Sequence, residues 1–236
     1  MRRSFIALLL LIATCGAAAA DDLVGRYAAD GVTPQGQAYK GQVQIEQVGK
    51  LHAVLWRLDG GAAYKGIGIR SGDVLGAAYG APDTKFGIVV YRVNGGKLEG
   101  LWADSRDLKS ELGKETLEGS PDLNGTYKVT LGQNRDGITN YGGSIDIKRS
   151  GGGTFLFVWP NSKPVTVGVG VRVDDVLVVA YGANPAKLPG VVAYKSAGAE
   201  ALDGIWATIG VQSAGNGSFN ITPPQKAGTE SLKRQP

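Results

Sequence analysis

The chain holds a single cysteine, Cys15, and a single histidine, His52. One cysteine excludes a disulfide framework, a cysteine-based zinc site and an iron–sulfur cluster. One histidine excludes a multi-histidine metal site, and any Ser-His-Asp mechanism would depend on that imidazole alone. After the first twenty residues no apolar run reaches the length of a membrane helix, about 20 residues, and no capped helical stripe appears. Charged residues make up only 19% of the chain, but 43% is hydrophobic. That is enough apolar surface to offset the entropy of ordering, so a disordered chain is excluded. Glycine is the abundant residue, 37 of 236, more than twice its usual share of about 7%. It has no every-third-residue period, which excludes collagen.

Residues 1–20 have the order of a secretory signal peptide: Arg2 and Arg3, then the apolar run from Phe5 to Ile12, then small residues through Ala20. Ala18-Ala19-Ala20 places the cut before Asp21. An alternative makes Cys15 a lipid-anchor site, although Thr14 fits a lipobox poorly. Removing residues 1–20 leaves 23 basic against 21 acidic residues, a net +2 in place of the +4 of the whole chain. No basic stripe remains, so a nucleic-acid partner is not expected. A periplasmic or secreted protein with no transmembrane segment is.

The strongest signal is self-similarity. Gly25-Arg26-Tyr27 recurs as Gly125-Thr126-Tyr127, and Leu98-Glu99-Gly100-Leu101-Trp102 as Leu202-Asp203-Gly204-Ile205-Trp206. Gly66-Ile67-Gly68-Ile69-Arg70 and Tyr79-Gly80-Ala81 recur as Gly168-Val169-Gly170-Val171-Arg172 and Tyr181-Gly182-Ala183. Gly113-Lys114-Glu115-Thr116-Leu117 recurs as Gly228-Thr229-Glu230-Ser231-Leu232. The chain therefore divides into repeat 1, residues 21–121, and repeat 2, residues 122–236, the second carrying an extra exposed loop near 212–224.

Within each copy the hydrophobic period is two, as in Tyr39, Gly41, Val43 and Ile45 against Lys40, Gln42, Gln44 and Glu46. Glycine- and asparagine-containing turns punctuate the chain every 8–12 residues. Strands are predicted near 24–30, 38–47, 51–58, 63–70, 73–80, 86–93, 97–104 and 108–118. The fold class is all-β: two tandem antiparallel β-meander modules, each a small eight-stranded up-and-down barrel, joined near Ser120-Pro121-Asp122. Closure removes the exposed edges of such a meander. A β-sandwich from each copy, or one large barrel from both, are the alternatives.

Chemistry-bearing residues are few. His52 could act as a base with Glu46 or Asp59, but with Trp56 placed on Trp159 it aligns with Phe155, a packing position. Glu99 with Asp203, and Glu115 with Glu230, occupy matched places; cleavage of a glycosidic bond would need carboxylates about 5–10 Å apart, and sequence sets no such distance. Arg70 with Asp73, and Arg172 with Asp175, flank hairpin turns as turn-closing ion pairs. Gly66-Ile67-Gly68-Ile69 leads into a strand, whereas nucleotide fingerprints require a helix there. No metal site, cofactor or catalytic residue is expected.

The aromatic residues carry more. Tyr27, Tyr39, Trp56, Tyr79, Tyr91 and Trp102 have counterparts Tyr127, Tyr141, Trp159, Tyr181, Tyr194 and Trp206. They are core pieces of a glycine-rich module or the walls of a pocket. On the pocket reading, the ligand-binding residues are Tyr27, Tyr39, Trp56, Tyr79, Trp102, Tyr127, Tyr141, Trp159, Tyr181 and Trp206.

The opening Gly-x-Tyr and the later Leu-x-Gly-x-Trp, in meander order, resemble avidin- and lipocalin-type barrels. Over nearly the whole mature chain, the succession Gly-x-Tyr, Tyr-x-Gly-x-Val/Ile, Gly-x-Gly, Tyr-Gly, Leu-x-Gly-x-Trp and Gly-x-Glu-x-Leu resembles exported proteobacterial repeat proteins, some labelled fibronectin-binding. That resemblance implies an envelope or secreted protein with an adhesion-like role. The expected function is non-enzymatic binding of an envelope or extracellular macromolecule, protein or glycan. The alternatives are a carrier of a small apolar ligand inside the barrels and a glycan-acting hydrolase.

Overall fold

The computed structural model describes residues 23–198, 200–215 and 218–236. The expected leader, its cut after Ala20, Cys15 and the Asn216-Gly217 turn lie outside the described residues. Among the described residues no helix is long and apolar enough to cross a membrane. The chain forms strands β1 (Gly25–Val32), β2 (Ala38–Val48), β3 (Leu51–Leu58), β4 (Ala63–Ser71) and β5 (Val74–Gly80). Next come β6 (Gly87–Asn94), β7 (Lys97–Asp104), β8 (Gly113–Glu118), β9 (Gly125–Gln133) and β10 (Ser144–Arg149). The remainder are β11 (Thr154–Trp159), β12 (Thr166–Val173), β13 (Val176–Gly182), β14 (Gly190–Ser196), β15 (Ala201–Ala207), β16 (Gly210–Gly215), β17 (Ser218–Thr222) and β18 (Gly228–Arg234). Two single-turn 3-10 segments, Gly151–Gly153 and Pro185–Lys187, interrupt them.

The expected class and strand number are found: two closed antiparallel barrels of eight strands each. What differs is which strands close each barrel. One barrel runs continuously through β6–β13. The other is split, made of β1–β5 and then β14, β15 and β18. Each copy thus contributes five strands to one barrel and three to the other. The expected closure of each copy on itself does not occur, since β8 pairs with β9 across the Ser120-Pro121-Asp122 joint and β1 pairs with β18.

The exchange brings the outer faces of the two barrels together. Ile67, Ile69, Val74 and Ala78 of the split barrel share one apolar cluster with Ile88, Val90, Val169, Val176 and Val178 of the continuous barrel. Strands at this contact are covered on both faces, and five successive residues are buried in each of β5, β6, β13 and β14. Close approach needs small residues there. A Cβ on Gly76 would stand 2.7 Å from both methyls of Val178 and 2.9 Å from Val90 Cγ2.

Inside the split barrel, Val43, Ile45, Val54, Leu75 and Tyr194 fill the interior, with Leu23 closing one end. Leu98, Leu117, Ile145, Phe157 and Leu177 fill the continuous barrel, with Leu123 in the equivalent place. Sequence and structure differ at two further points. The strand expected from residue 108 begins at Gly113, because Arg135 donates to the carbonyls of Asp107, Ser110 and Glu111 and holds the preceding residues as a loop. The extra segment near 212–224 is a two-stranded hairpin, β16 with β17, rather than a loop. Its exit is anchored on the continuous barrel by Thr154, whose hydroxyl donates to the Pro224 carbonyl at 2.6 Å.

Candidate functional site

Many of the strand glycines and the placement of the aromatic residues have one cause. Ten large rings each lie across a glycine, where any side chain would collide with them. Tyr39 covers Gly31, Trp56 covers Gly66, Tyr79 covers Gly190, Trp206 covers Gly228 and Tyr194 covers Gly204 in the split barrel. Tyr141 on Gly132, Trp159 on Gly168, Tyr181 on Gly87, Trp102 on Gly113 and Tyr91 on Gly100 repeat the pattern in the continuous barrel. The rings stack inward at one end of each barrel.

In the split barrel this end is a cavity of about 430 Å³ lined by Tyr39, Trp56, Tyr64, Tyr79, Trp206 and Glu230, among others. Trp56 and Tyr79 have ring centroids 5.5 Å apart, Tyr64 and Tyr79 5.6 Å, and Tyr39 and Trp206 6.2 Å. The continuous barrel has an equivalent mouth of about 240 Å³, with Trp102, Tyr141, Trp159, Tyr181 and Glu115. Its Trp159–Tyr181 and Trp102–Tyr141 pairs stand at 5.3 and 6.2 Å.

Each mouth has a buried carboxylate at its floor. Glu230 is 4% exposed and accepts hydrogen bonds from Tyr39 Oη at 3.0 Å, Trp56 Nε1 at 3.2 Å and the Tyr194 hydroxyl. Glu115, 5% exposed, accepts from Tyr141 Oη at 3.1 Å and from the Tyr91 hydroxyl. Burial holds both carboxyls above the ordinary glutamate value, and the phenol donors draw them partly back. Burial likewise raises Tyr194, Tyr91, Tyr39 and Tyr141, reinforced by the adjacent carboxylate. The strand exchange makes both sites composite: Glu230 and Tyr194 come from repeat 2, and Tyr39 and Trp56 from repeat 1.

Eight of the ten expected ligand-binding residues line the two mouths: Tyr39, Trp56, Tyr79, Trp206, Trp102, Tyr141, Trp159 and Tyr181. Tyr27 and Tyr127 lie elsewhere, at the closed ends. Tyr27 donates to the Leu23 carbonyl at 2.9 Å and accepts from Arg234 at 2.7 Å, and Tyr127 donates to the Ser120 carbonyl. Along β18, Leu232 separates this end from Glu230.

The sequence pattern does not single out Tyr64, Tyr91 and Tyr194 as ligand-binding, and it presents Glu115 and Glu230 only as a matched carboxylate pair. The signal for the carboxylates was present. In Gly-x-Glu-x-Leu, period two puts the glutamate on the same face as the leucine, and that face is buried in both β8 and β18. Each carboxylate serves its own barrel.

The remaining candidates lie outside the mouths. His52 is buried within the split barrel, as Phe155 is in the other, while Glu46 and Asp59 are exposed. Glu99 is exposed beside Lys97 at 2.6 Å, and Asp203 accepts from Ser231. Arg70 and Arg172 close their turns by donating to the carbonyls of Gly72 and Asp174, and Asp175 pairs with Arg92 at 2.7 Å. A groove of about 460 Å³ outside the split barrel carries Glu46, Arg57 and Lys65 and none of the ten expected residues. No protein-family model matches the chain, and no curated protein matches it in sequence.

Proposed function

We propose that this is an exported binding protein that takes small ligands in the aromatic mouths of its barrels. One observation carries the reading: the cavity of about 430 Å³ in the split barrel combines apolar ring walls with one polar group at its floor. Cavities of roughly 300–1,000 Å³ with that make-up are characteristic of small-molecule sites. The interior beneath is filled by Val43, Leu75, Tyr194 and their neighbours, so the ligand sits at the mouth rather than along the barrel axis. Rings braced on glycine backbone are pre-organised, which reduces the entropy lost on binding. Native mass spectrometry of the purified protein, followed by a fluorescence screen on Trp56 and Trp206, tests this. A retained or saturable small ligand that Trp206→Ala weakens supports it. A protein that stays empty and unresponsive across chemically diverse libraries refutes it.

The macromolecular reading has one observation of its own. Ile138, 83% exposed, stands on the loop that follows β9, which is tied at Thr139 to Asn134 of the continuous barrel's mouth, and the exposed Val165 adjoins Thr166 of the same lining. A partner protein would cover these side chains on docking. Binding to immobilised fibronectin that Ile138→Ser abolishes would support this reading, and absence of binding removes it.

A further inference from the structure

The two mouths differ in ways that select a ligand class. Counting from the shared Gly66 and Gly168, the place of Tyr64 is taken by Thr166, so the split barrel has an extra ring in its wall. The charges differ too. Among the described residues lining either mouth there is no lysine or arginine. Beside the continuous barrel's mouth, however, Arg106 and Arg135 both engage Asp104, at 3.0 and 3.6 Å, and the Asp107 carboxylate also acts on Arg135. Arg106 falls on Gly210 of the second copy and Asp104 on Thr208, so the split barrel's mouth has no such cluster from its matching strand. Among the described residues, Glu230 therefore faces a ring-lined cavity whose lining contains no lysine or arginine.

The geometry points to an organic cation, of the alkylated ammonium class, as the ligand of the split barrel's mouth, with Glu230 as counter-ion and Trp56, Tyr64, Tyr79 and Trp206 as the cage. Ring faces are negative and attract a cation within about 6 Å, most strongly where water is excluded. A carboxylate has about four acceptor positions. Tyr39, Tyr194 and Trp56 occupy three on Glu230, which fixes its orientation and leaves one side open to the cavity. Alkylation suits the site because a quaternary ammonium sheds water easily and needs no hydrogen-bond acceptors beyond the charge. The mouth of the continuous barrel is smaller and has Thr166 where Tyr64 stands, so its cage is a ring short and it does not share the preference.

This inference rests on the mouth being a ligand site, and the test separates the two. Tryptophan fluorescence and calorimetry on the full chain would compare choline with 3,3-dimethyl-1-butanol, its neutral isostere in which carbon replaces nitrogen. One saturable choline site per chain is expected, about ten-fold tighter than the alcohol. Glu230→Gln should bring the two ligands level, Tyr64→Thr should weaken choline several-fold, and Glu99→Gln, an exposed change outside both mouths, should alter neither. Near-UV circular dichroism identifies any variant that fails to fold, and Tyr64→Thr retains a test independent of the buried carboxylate. If the alcohol binds as tightly as choline, the cation class is overturned and the mouth remains a ligand site. If two equal choline sites appear, the distinction between the mouths is overturned. If neither compound binds at millimolar concentration, the inference fails, and the wider reading stands or falls by its own screen.

Discussion

The Tyr79 ring of repeat 1 lies flat across Gly190 of repeat 2, so close that a Cβ there would stand 2.3 Å from Tyr79 Cζ. The ring has nowhere to move except into the mouth. Gly190→Ala should therefore lower stability by about 1–3 kcal/mol, the usual cost of overpacking, and narrow the cavity. In a Tyr79→Ser background the same change should cost under about 0.5 kcal/mol, because the colliding partner is gone. Urea unfolding of the four proteins of this cycle measures the coupling, and additive costs would contradict the contact.

Gly76 makes a second prediction, at the contact between the barrels. Gly76→Ala drives a methyl against Val178 and Val90 and should destabilise by about 1–3 kcal/mol. Gly60, with nothing within 4 Å of an added Cβ, is the control. Gly60→Ala should be neutral or slightly stabilising, because alanine restricts the unfolded chain. Equal effects at both positions would argue against a tight contact.

Strand exchange can be tested by cross-linking. Ala28 is the register partner of Lys233 in the β1–β18 pair. Cysteines at those two positions, in a Cys15→Ser background, should form a disulfide, since antiparallel partners lie within bridging range. A repeat closed on itself would instead bring Ala28 opposite Glu118, the counterpart of Lys233. The Ala28→Cys, Glu118→Cys pair should stay reduced, and its ready oxidation would sink the exchanged topology.

The pH dependence follows from the buried carboxyls. Glu230 is faced by Tyr39, Tyr194 and Trp56, and its folded value is raised by burial. Its unfolded value is about 4.3. The stability it contributes is fully present below about that pH, declines as pH rises through the raised folded value, and is level above it. Glu230→Gln lacks this decline. The variant's melting temperature relative to the parent should therefore shift in its favour between about pH 4 and pH 8. A constant difference across that range would exclude a raised carboxyl.

The phenols give a complementary titration. Tyr39, Tyr79, Tyr91, Tyr141, Tyr181 and Tyr194 are all raised, burial being the main cause in each. An absorbance titration of the folded protein to about pH 11 should ionise no more than three of its nine tyrosines; ordinary tyrosine titrates near 10. Ionisation of five or more before unfolding would mean that the mouths are wetter than described.

Much of this architecture was legible in the sequence. Duplication, the period of two and the turn residues specify strands almost to the residue, as at β3 and β7, because side-chain alternation is a local property. Conserving Tyr39, Trp56, Tyr79 and Trp206 in both copies pointed to eight of the lining residues, since large rings in a glycine-rich sheet have few places to lie. The buried glutamates were also marked, by sharing a face with Leu117 and Leu232.

Which strands close which barrel was settled only in three dimensions. Exchanging the last three strands leaves every neighbour relationship unchanged: a fifth strand meets a sixth, and an eighth meets a first, whichever copy supplies them. Local pattern is blind to such a choice. The difference lies in the contact between barrels, where Gly76, Val90 and Val178 from distant parts of the chain come together, and in the pairing of one copy's glutamate with the other copy's phenol. Those contacts depend on packing between surfaces far apart in sequence, which no short-range rule encodes.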